Sequence, residues 1–290
     1  MGQQLYNGSP TAREVFDRID HVLDRPLTQI MFEGPEDLLR QTINAQPAIM
    51  AVSLASLKAL EEKLDVELCP AFLAGHSVGE YTALAAAGAL NTEDTALLVQ
   101  ERGRLMQVAC DQRPGTMAAI LGMEECIVAK IASETGTWIS NVNTAEQIVI
   151  SGDQPGVYKA MEMATMKGAT KTIPLGVGGA FHSDLMEPAR QGLEEAIDQL
   201  RFNEPKIPII ANCTAEPLHT INDLKKELVA QITGCVQWSR SIEYMAEAGV
   251  GLFIEVGTGK ALTKMARRII KGVHVASMGD LDSIRSFKLS

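Results

Sequence analysis

The chain is poor in aromatic residues: Phe, Trp and Tyr make up 4% of its 290 residues. Proteins that stack nucleic-acid bases need such rings, so that class is disfavoured. Positive charge is also scarce. Lys and Arg number 26 against 36 Asp and Glu, for a net charge of −10. An acidic surface repels phosphate backbones, so no nucleic-acid partner is expected. No apolar run approaches the roughly 18 residues of a membrane span, and no charged-then-apolar leader opens the sequence. The expectation is therefore a cytoplasmic protein with no membrane partner. Five cysteines (Cys69, Cys110, Cys126, Cys213 and Cys235) are odd in number and lack metal-ligand spacing. They read as free, mostly buried thiols in a reducing compartment, with no metal bound. What remains is ordinary: 46% hydrophobic and 21% charged residues, enough for one or two domains.

The apolar periodicity places the elements. Ser9-Pro10-Thr11 predicts a capped helix over Ala12 to Leu23, with Pro at its first turn. Gln46-Pro47 opens a helical run from Ala48 to Leu64. Asn91 or Thr92 caps another that runs to about Cys110 and is broken by Pro114-Gly115. Strand, helix, strand, strand, helix, strand then follow at Thr116–Leu121, Glu124–Glu134, Trp138–Val142, Gln147–Ser151, Val157–Lys167 and Lys171–Leu175. That order is the split βαβ, or ferredoxin-like, signature. Beyond it come a helix (Asp184–Leu200), a strand (Ile207–Ala211), two helical stretches, a strand (Leu252–Val256) and a helix (Ala261–Ile270). The expected fold is α/β: a large α/β-hydrolase-like domain over 1–114 and 177–290, interrupted by a ferredoxin-like small subdomain over 115–176.

The most specific local signal is Gly75-His76-Ser77-Val78-Gly79-Glu80. It lies between the apolar run Ala71–Ala74 and the alanine-rich helical run Tyr81–Leu90. Gly-x-Ser-x-Gly between a strand and a helix reads as a nucleophile elbow. The turn exposes the serine hydroxyl. The glycines are expected because side chains there would collide with the neighbouring strand and helix. The N–H of Val78, at the helix start, would face an oxyanion formed at Ser77. Acyl chemistry on Ser77 is the first inference.

A serine nucleophile needs a base. His21, His219 and His274 read as surface or structural histidines. His76 adjoins Ser77 but its side chain must point away. His182 follows Gly178-Gly179-Ala180-Phe181 and precedes a helix, whose N-terminus favours a neutral imidazole. Local sequence leaves base and structural roles evenly matched for it. Arg102 interrupts an apolar helix face made by Leu98, Leu105, Met106 and Ala109, whereas Arg104 reads as solvated. A core-facing guanidinium needs an anion. That anion is either a buried Asp or Glu or a substrate carboxylate held by a bidentate clamp. Gly257-Thr258-Gly259-Lys260 invites a phosphate-loop reading, but the rest of that pattern is missing, and a tight strand-to-helix turn is expected.

Four segments together resemble the malonyl-CoA:acyl-carrier-protein transacylases, the acyltransferases of fatty-acid and polyketide synthesis. They are Ala74–Tyr81, Arg102–Gln107, Gly179–Ser183 and Phe253–Lys260. Gln46-Pro47-Ala48, Gln147–Gly152 and Val236-Gln237-Trp238 extend the resemblance over nearly the whole chain. It implies Ser77 as the acylated nucleophile and His182 as its base and acid. It implies Arg102 as the holder of the malonyl carboxylate. Gln231 matches a glutamine whose main-chain carbonyl orients the histidine, in place of an acidic triad member. Gln46 and Asn143 match polar positions of the family's pocket, and Phe181 its malonyl-selective form. Val78 would supply one oxyanion N–H. Malonyl-CoA and acyl carrier protein are the implied partners, with no cofactor. A serine esterase or thioesterase is the alternative, and Arg102 speaks against it, since a simple esterase needs no carboxylate clamp.

The resemblance has two departures. In the family a strand and a Phe-Pro-Gly-Gln-Gly-Ser-Gln loop precede the first helix. Met1-Gly2-Gln3-Gln4-Leu5-Tyr6 matches the segment just after that loop. The loop glutamine gives the family's second oxyanion N–H, and Gln3 and Gln4 do not align with it. Loss of one such donor costs on the order of 10²–10³ in rate. The expectation is a true start upstream of Met1, and the alternative is an impaired or non-catalytic version. Thr258 also stands where the family usually has proline.

Overall fold

The computed structural model describes residues 1–288. A short helix, α1 (Gln3–Gly8), precedes α2 (Pro10–Val22). Ser9 accepts the Ala12 N–H and Pro10 occupies the first turn, where no N–H is needed. Ala12, Val15, Phe16 and Ile19 form the buried face of α2. Two short helices, α3 (Leu27–Glu33) and α4 (Glu36–Arg40), follow. The next helix, α5 (Thr42–Leu64), starts earlier than Gln46-Pro47 suggests, so Pro47 lies inside it. Pro47 cannot donate to the Ile43 carbonyl. The Arg25 guanidinium donates to that carbonyl instead, at 3.0 Å.

A two-residue strand, β1 (Leu73–Ala74), leads through the elbow into α6 (Val78–Ala86). The long α7 (Thr92–Gln112), capped by the Asn91 side chain on the Asp94 N–H, packs along α5. The expected run of six elements is then observed: β2 (Thr116–Leu121), α8 (Glu125–Thr135), β3 (Trp138–Thr144), β4 (Gln147–Gly152), α9 (Gln154–Met166) and β5 (Lys171–Pro174). Its four strands form one antiparallel sheet in the order β3-β4-β2-β5. Alternate residues of β2 serve two cores. Ala118 and Ile120 pack with residues of α8 and α9, while Met117 and Ala119 pack on the other face, which Phe181 also touches. That second face borders the site described below.

The chain returns through a 3₁₀ turn (Asp184–Met186) into α10 (Glu187–Asp198). Next come β6 (Ile209–Ile210), β7 (Pro217–Leu218), α11 (Ile221–Gln231) and α12 (Trp238–Glu247). The last elements are β8 (Leu252–Val256), α13 (Ala261–Ile269), β9 (His274–Met278) and α14 (Leu281–Ser286). The strands of this part are few. β1 and β6 run parallel, with β7 antiparallel on β6, and β8 pairs in parallel with β9. Helices supply most of the main core. Val142 N–H to Val236 O (2.9 Å) and Val236 N–H to Ser140 O (2.8 Å) join β3 to the segment before α12.

The cysteines correct one expectation. All five thiols are free, but only Cys110 is buried; Cys213 and Cys235 are half-buried, and Cys69 and Cys126 are exposed. Cys69 lies in the turn before β1 and Cys126 on the first turn of α8, positions that face outward. Among the described residues no helix is long and apolar enough to cross a membrane.

Candidate active site

Ser77 sits between β1 and α6 with φ 53° and ψ −110°. A non-glycine residue holds such a conformation only when its surroundings impose it. Asn212, just past β6, does so. Its Oδ1 accepts the Ser77 N–H at 2.7 Å, and its Nδ2 donates to the Gly75 carbonyl at 2.7 Å. The parallel pairing of β1 with β6 brings these residues together.

The two flanking glycines differ. A Cβ on Gly75 would lie 1.9 Å from the Gly79 carbonyl carbon and 2.4 Å from Glu80 N. A Cβ on Gly79 would meet nothing within 4 Å. The collision expected at both glycines therefore holds only at Gly75, because the backbone of Gly79 is itself the obstacle. Gly75→Ala should lower the melting temperature by about 10 °C or prevent folding, since backbone cannot yield to an added methyl. Gly79→Ala should leave it within about 3 °C or raise it, by improved helix propensity. Thermal melts of both variants check this.

His182 comes from the loop after β5 and also has a positive φ, 56°. Close packing fixes that loop. A Cβ on Gly179 would lie 2.1 Å from the Cys110 sulfur, and the Ser140 hydroxyl donates to the Phe181 carbonyl at 3.0 Å. His182 Nε2 lies 2.7 Å from Ser77 Oγ. Its Nδ1 faces two carbonyls, Gln231 O at 2.8 Å and Gly234 O at 3.1 Å. Carbonyls only accept, so the proton is on Nδ1 and the Nε2 lone pair faces the serine. Burial, then the positive charge of Arg102, lowers the His182 pKa to about 3. The imidazole is thus neutral and available as a base.

Arg102, on α7, is 1% exposed. Its Nη1 donates to Gln46 Oε1 at 2.5 Å, and its Nη2 to Gln231 Oε1 at 2.8 Å and to Ser77 Oγ at 3.2 Å. Its guanidinium lies over the Tyr81 ring, 5.1 Å from the centroid, and Nε has no partner. Among the described residues no carboxylate forms an ion pair with it. Of the two anions open to it from sequence, the buried Asp or Glu partner is not found. Burial pulls the Arg102 pKa down, yet guanidinium stays charged. Arg104, by contrast, is exposed and pairs with Glu101.

Ser77, His182, Arg102, Gln46 and Gln231 therefore meet at one point. Val78 begins α6, and among the described residues no protein acceptor takes its N–H. Phe181 adjoins His182 and is half-buried between two cores. Asn143 is buried and binds His76, with its Oδ1 2.9 Å from His76 Nε2. His76 points away from Ser77 and lies against Trp238. The turn after β8 leads into the start of α13, where the N–H groups of Leu262 (3.2 Å) and Thr263 (2.8 Å) are already taken by Glu255. Among the described residues no cluster of His, Cys, Asp or Glu could hold a metal ion.

Sequence reasoning missed three participants: Asn212, the side chain of Gln231, and Glu80. The Gln231 amide donates to Ser77 O at 2.9 Å and to Glu80 Oε2 at 2.5 Å. Glu80 is fully buried and also accepts the Asn212 N–H at 2.9 Å. Burial and the nearby Glu227 carboxylate push the Glu80 pKa up. An acidic residue closing Gly-x-Ser-x-Gly-Glu at a helix start is the only local signal among these.

The class of protein follows from comparison. A family described as "Acyl transferase domain" matches residues 1–283. The chain is 38% identical over 289 residues to the malonyl CoA-acyl carrier protein transacylase of Bacillus subtilis, covering 98% of this chain and 90% of the relative. It is 33% identical over 292 residues to the transacylase of the same name from Staphylococcus aureus, covering 99% and 93%. The acyl-carrier-protein S-malonyltransferase structure from Bartonella henselae superposes with a TM-score of 0.94 at 40% identity, over 99% of this chain and 93% of that one. A malonyl-transacylase solved in complex with its type II polyketide synthase acyl-carrier protein superposes with a TM-score of 0.93 at 30% identity, over 98% and 93%. The chain belongs to the malonyl-CoA:acyl-carrier-protein transacylase family of acyltransferases.

Proposed function

We propose that this chain moves a malonyl group from malonyl-CoA to the phosphopantetheine thiol of an acyl carrier protein, through a malonyl ester on Ser77. One observation carries it: a buried guanidinium, without a carboxylate partner, 3.2 Å from a serine oxygen that is also 2.7 Å from a neutral histidine. A hydrolase of simple esters has no use for that charge. Malonyl-CoA offers a free carboxylate beside the thioester, which the guanidinium can hold in bidentate fashion.

In this mechanism Ser77 Oγ attacks the thioester carbonyl and gives its proton to His182 Nε2. The oxyanion forms near the unengaged Val78 N–H. Collapse expels CoA, whose sulfur takes the proton from His182. The carrier-protein thiol then attacks the ester while His182 accepts its proton, and His182 passes that proton to the departing Ser77 Oγ, which is regenerated. The carbonyls of Gln231 and Gly234 hold the imidazole as an aspartate would, with less charge stabilisation. Gln46 and the Gln231 side chain aim Arg102. Asn143 acts at one remove, holding the His76 ring next to the elbow. Phe181 crowds a methyl branch at the α-carbon, worth about 1–3 kcal/mol of selectivity. The architecture that goes with this reading is a large α/β-hydrolase-like domain over 1–114 and 177–290, with a ferredoxin-like subdomain over 115–176. Its support is the strand order β3-β4-β2-β5, in which β4 lies between the two strands joined by α8. The cellular compartment of this reading is the cytoplasm.

The test is incubation with malonyl-CoA followed by intact-protein mass spectrometry. A malonyl adduct that passes to added acyl carrier protein is the expected result. Free malonate released without transfer would support a thioesterase instead.

The depressed His182 pKa gives a pH expectation. The base form is present above about 3, so kcat/KM should stay flat from pH 7 down to about pH 5. An acid limb centred on the ordinary histidine value of 6.5 would contradict it. Folding is linked with the same sign. Between about 3 and 6.5 the unfolded chain binds the extra proton, so stability rises with pH across that window.

A further inference from the structure

Glu80 has no role in the mechanism above, yet it is 0% exposed and one helical turn from the nucleophile. Among the described residues it forms no ion pair. A buried carboxyl with no cation in contact is costly, and the positive charge nearest to it, Arg102, reaches it only across the Gln231 amide. Each oxygen faces a group that can only donate there: the backbone N–H of Asn212 at Oε1 and the Gln231 amide Nε2 at Oε2. Glu227, the neighbouring carboxyl, accepts the Cys213 N–H at 2.8 Å and acts on Glu80 as a like charge.

The Gln231 amide is the part of this network that can turn. Its Nε2 has two acceptors, Glu80 Oε2 and the Ser77 carbonyl, and its Oε1 has one donor, Arg102 Nη2. All its hydrogen bonds are made in one orientation. In the reverse orientation the NH₂ group would face the guanidinium and the oxygen would face two acceptors.

We propose that Glu80 is a positioning residue for the acyl-carboxylate clamp: its carboxyl oxygen holds the Gln231 amide with Oε1 towards Arg102, and so sets the direction of the guanidinium beside Ser77. The inference rests on the clamp role proposed for Arg102. His182 is served differently, by the Gln231 main-chain carbonyl, so an effect through the amide falls on recognition of the acyl carboxylate before it falls on the base.

Glu80→Gln is the discriminating substitution, because it keeps shape and removes one acceptor. The amide can satisfy either Asn212 N–H or Gln231 Nε2, but not both. The Asn212 N–H is fixed by backbone, so the new NH₂ turns to Gln231, which flips its own NH₂ towards Arg102. The kcat/KM ratio for malonyl-CoA over acetyl-CoA should then fall about tenfold, since small misplacements of a clamp are costly. Equal loss on both substrates, or no loss, overturns the proposal. Arg102→Ala run alongside separates the two levels. If Arg102→Ala loses malonyl selectivity and Glu80→Gln keeps it, only the Glu80 role fails. If Arg102→Ala loses both substrates equally, the clamp itself fails. Should Glu80→Gln not fold, neutron diffraction from deuterium-exchanged wild type decides. Nε2 deuterons on Glu80 and on Ser77 O are expected, and the reversed amide overturns the proposal.

Discussion

Ser77→Ala should reduce malonyl transfer on the order of 10⁵–10⁶-fold and leave no malonyl adduct by intact mass. The hydroxyl is where two functions meet, 2.7 Å from His182 Nε2 and 3.2 Å from Arg102 Nη2. Alanine removes the attacking atom but keeps the elbow. Its backbone is held through Asn212 by the Ser77 N–H, which alanine retains. Binding of malonyl-CoA, measured by calorimetry, should therefore survive, because Arg102, Gln46 and Gln231 remain. His182→Ala should cost nearly as much, and the double variant little more, because nucleophile and base act as one unit. An adduct of undiminished yield on Ser77→Ala would place the nucleophile elsewhere.

Arg102→Ala should divide the substrates. Loss of a buried, hydrogen-bonded charge partner costs about 2–5 kcal/mol, or roughly 30- to 5,000-fold in kcat/KM for malonyl-CoA. The acyl group of acetyl-CoA carries no free carboxylate, so that substrate should lose far less. Parallel kcat/KM measurements check the ratio, and equal loss would refute the clamp. Arg102→Lys should recover only part, since an ammonium cannot bridge Gln46 and Gln231 in the planar manner of guanidinium. The same variants carry a pH signature. Arg102 is the second cause lowering the His182 pKa, after burial. Its removal makes imidazolium less unfavourable, so the acid limb of the acetyl-CoA profile should move to higher pH. In wild type, a malonyl carboxylate seated on Arg102 would offset the same charge and strengthen the base in the loaded site.

Much of the fold was legible because its signals are local. Thr116–Leu121 and Leu252–Val256 coincide with the expected strands. The first is bounded by Pro114-Gly115 and Gly122, and the second by Gly251 and Gly257, so turn chemistry marks their ends. The caps at Ser9 and Asn91 are likewise side-chain-to-backbone bonds within four residues. The short helices α1, α3, α4 and α14 escaped notice because five to seven residues hold too little periodicity to register. Strand β9 was missed because its evidence is its partner, β8. The start of α5 was misplaced for a tertiary reason: Arg25 satisfies the carbonyl that Pro47 leaves free.

The site divides along the same line. Sequence alone determined the strand-to-helix elbow that carries Ser77, since an elbow is a property of six consecutive residues. It also determined that Arg102 lies on a buried helix face. It left His182 evenly balanced, and it left the partner of Arg102 open. Which groups these side chains face was decided by approach in space: 105 residues separate His182 from Ser77, and 129 separate Gln231 from Arg102. The parallel pairing of β1 with β6 places Asn212 on the elbow. Glu80, Asn212 and the Gln231 side chain carry little pattern of their own. Their identities are set by which donors and acceptors the folded chain buries opposite one another, and a buried polar atom is constrained by its partners rather than by its neighbours in sequence.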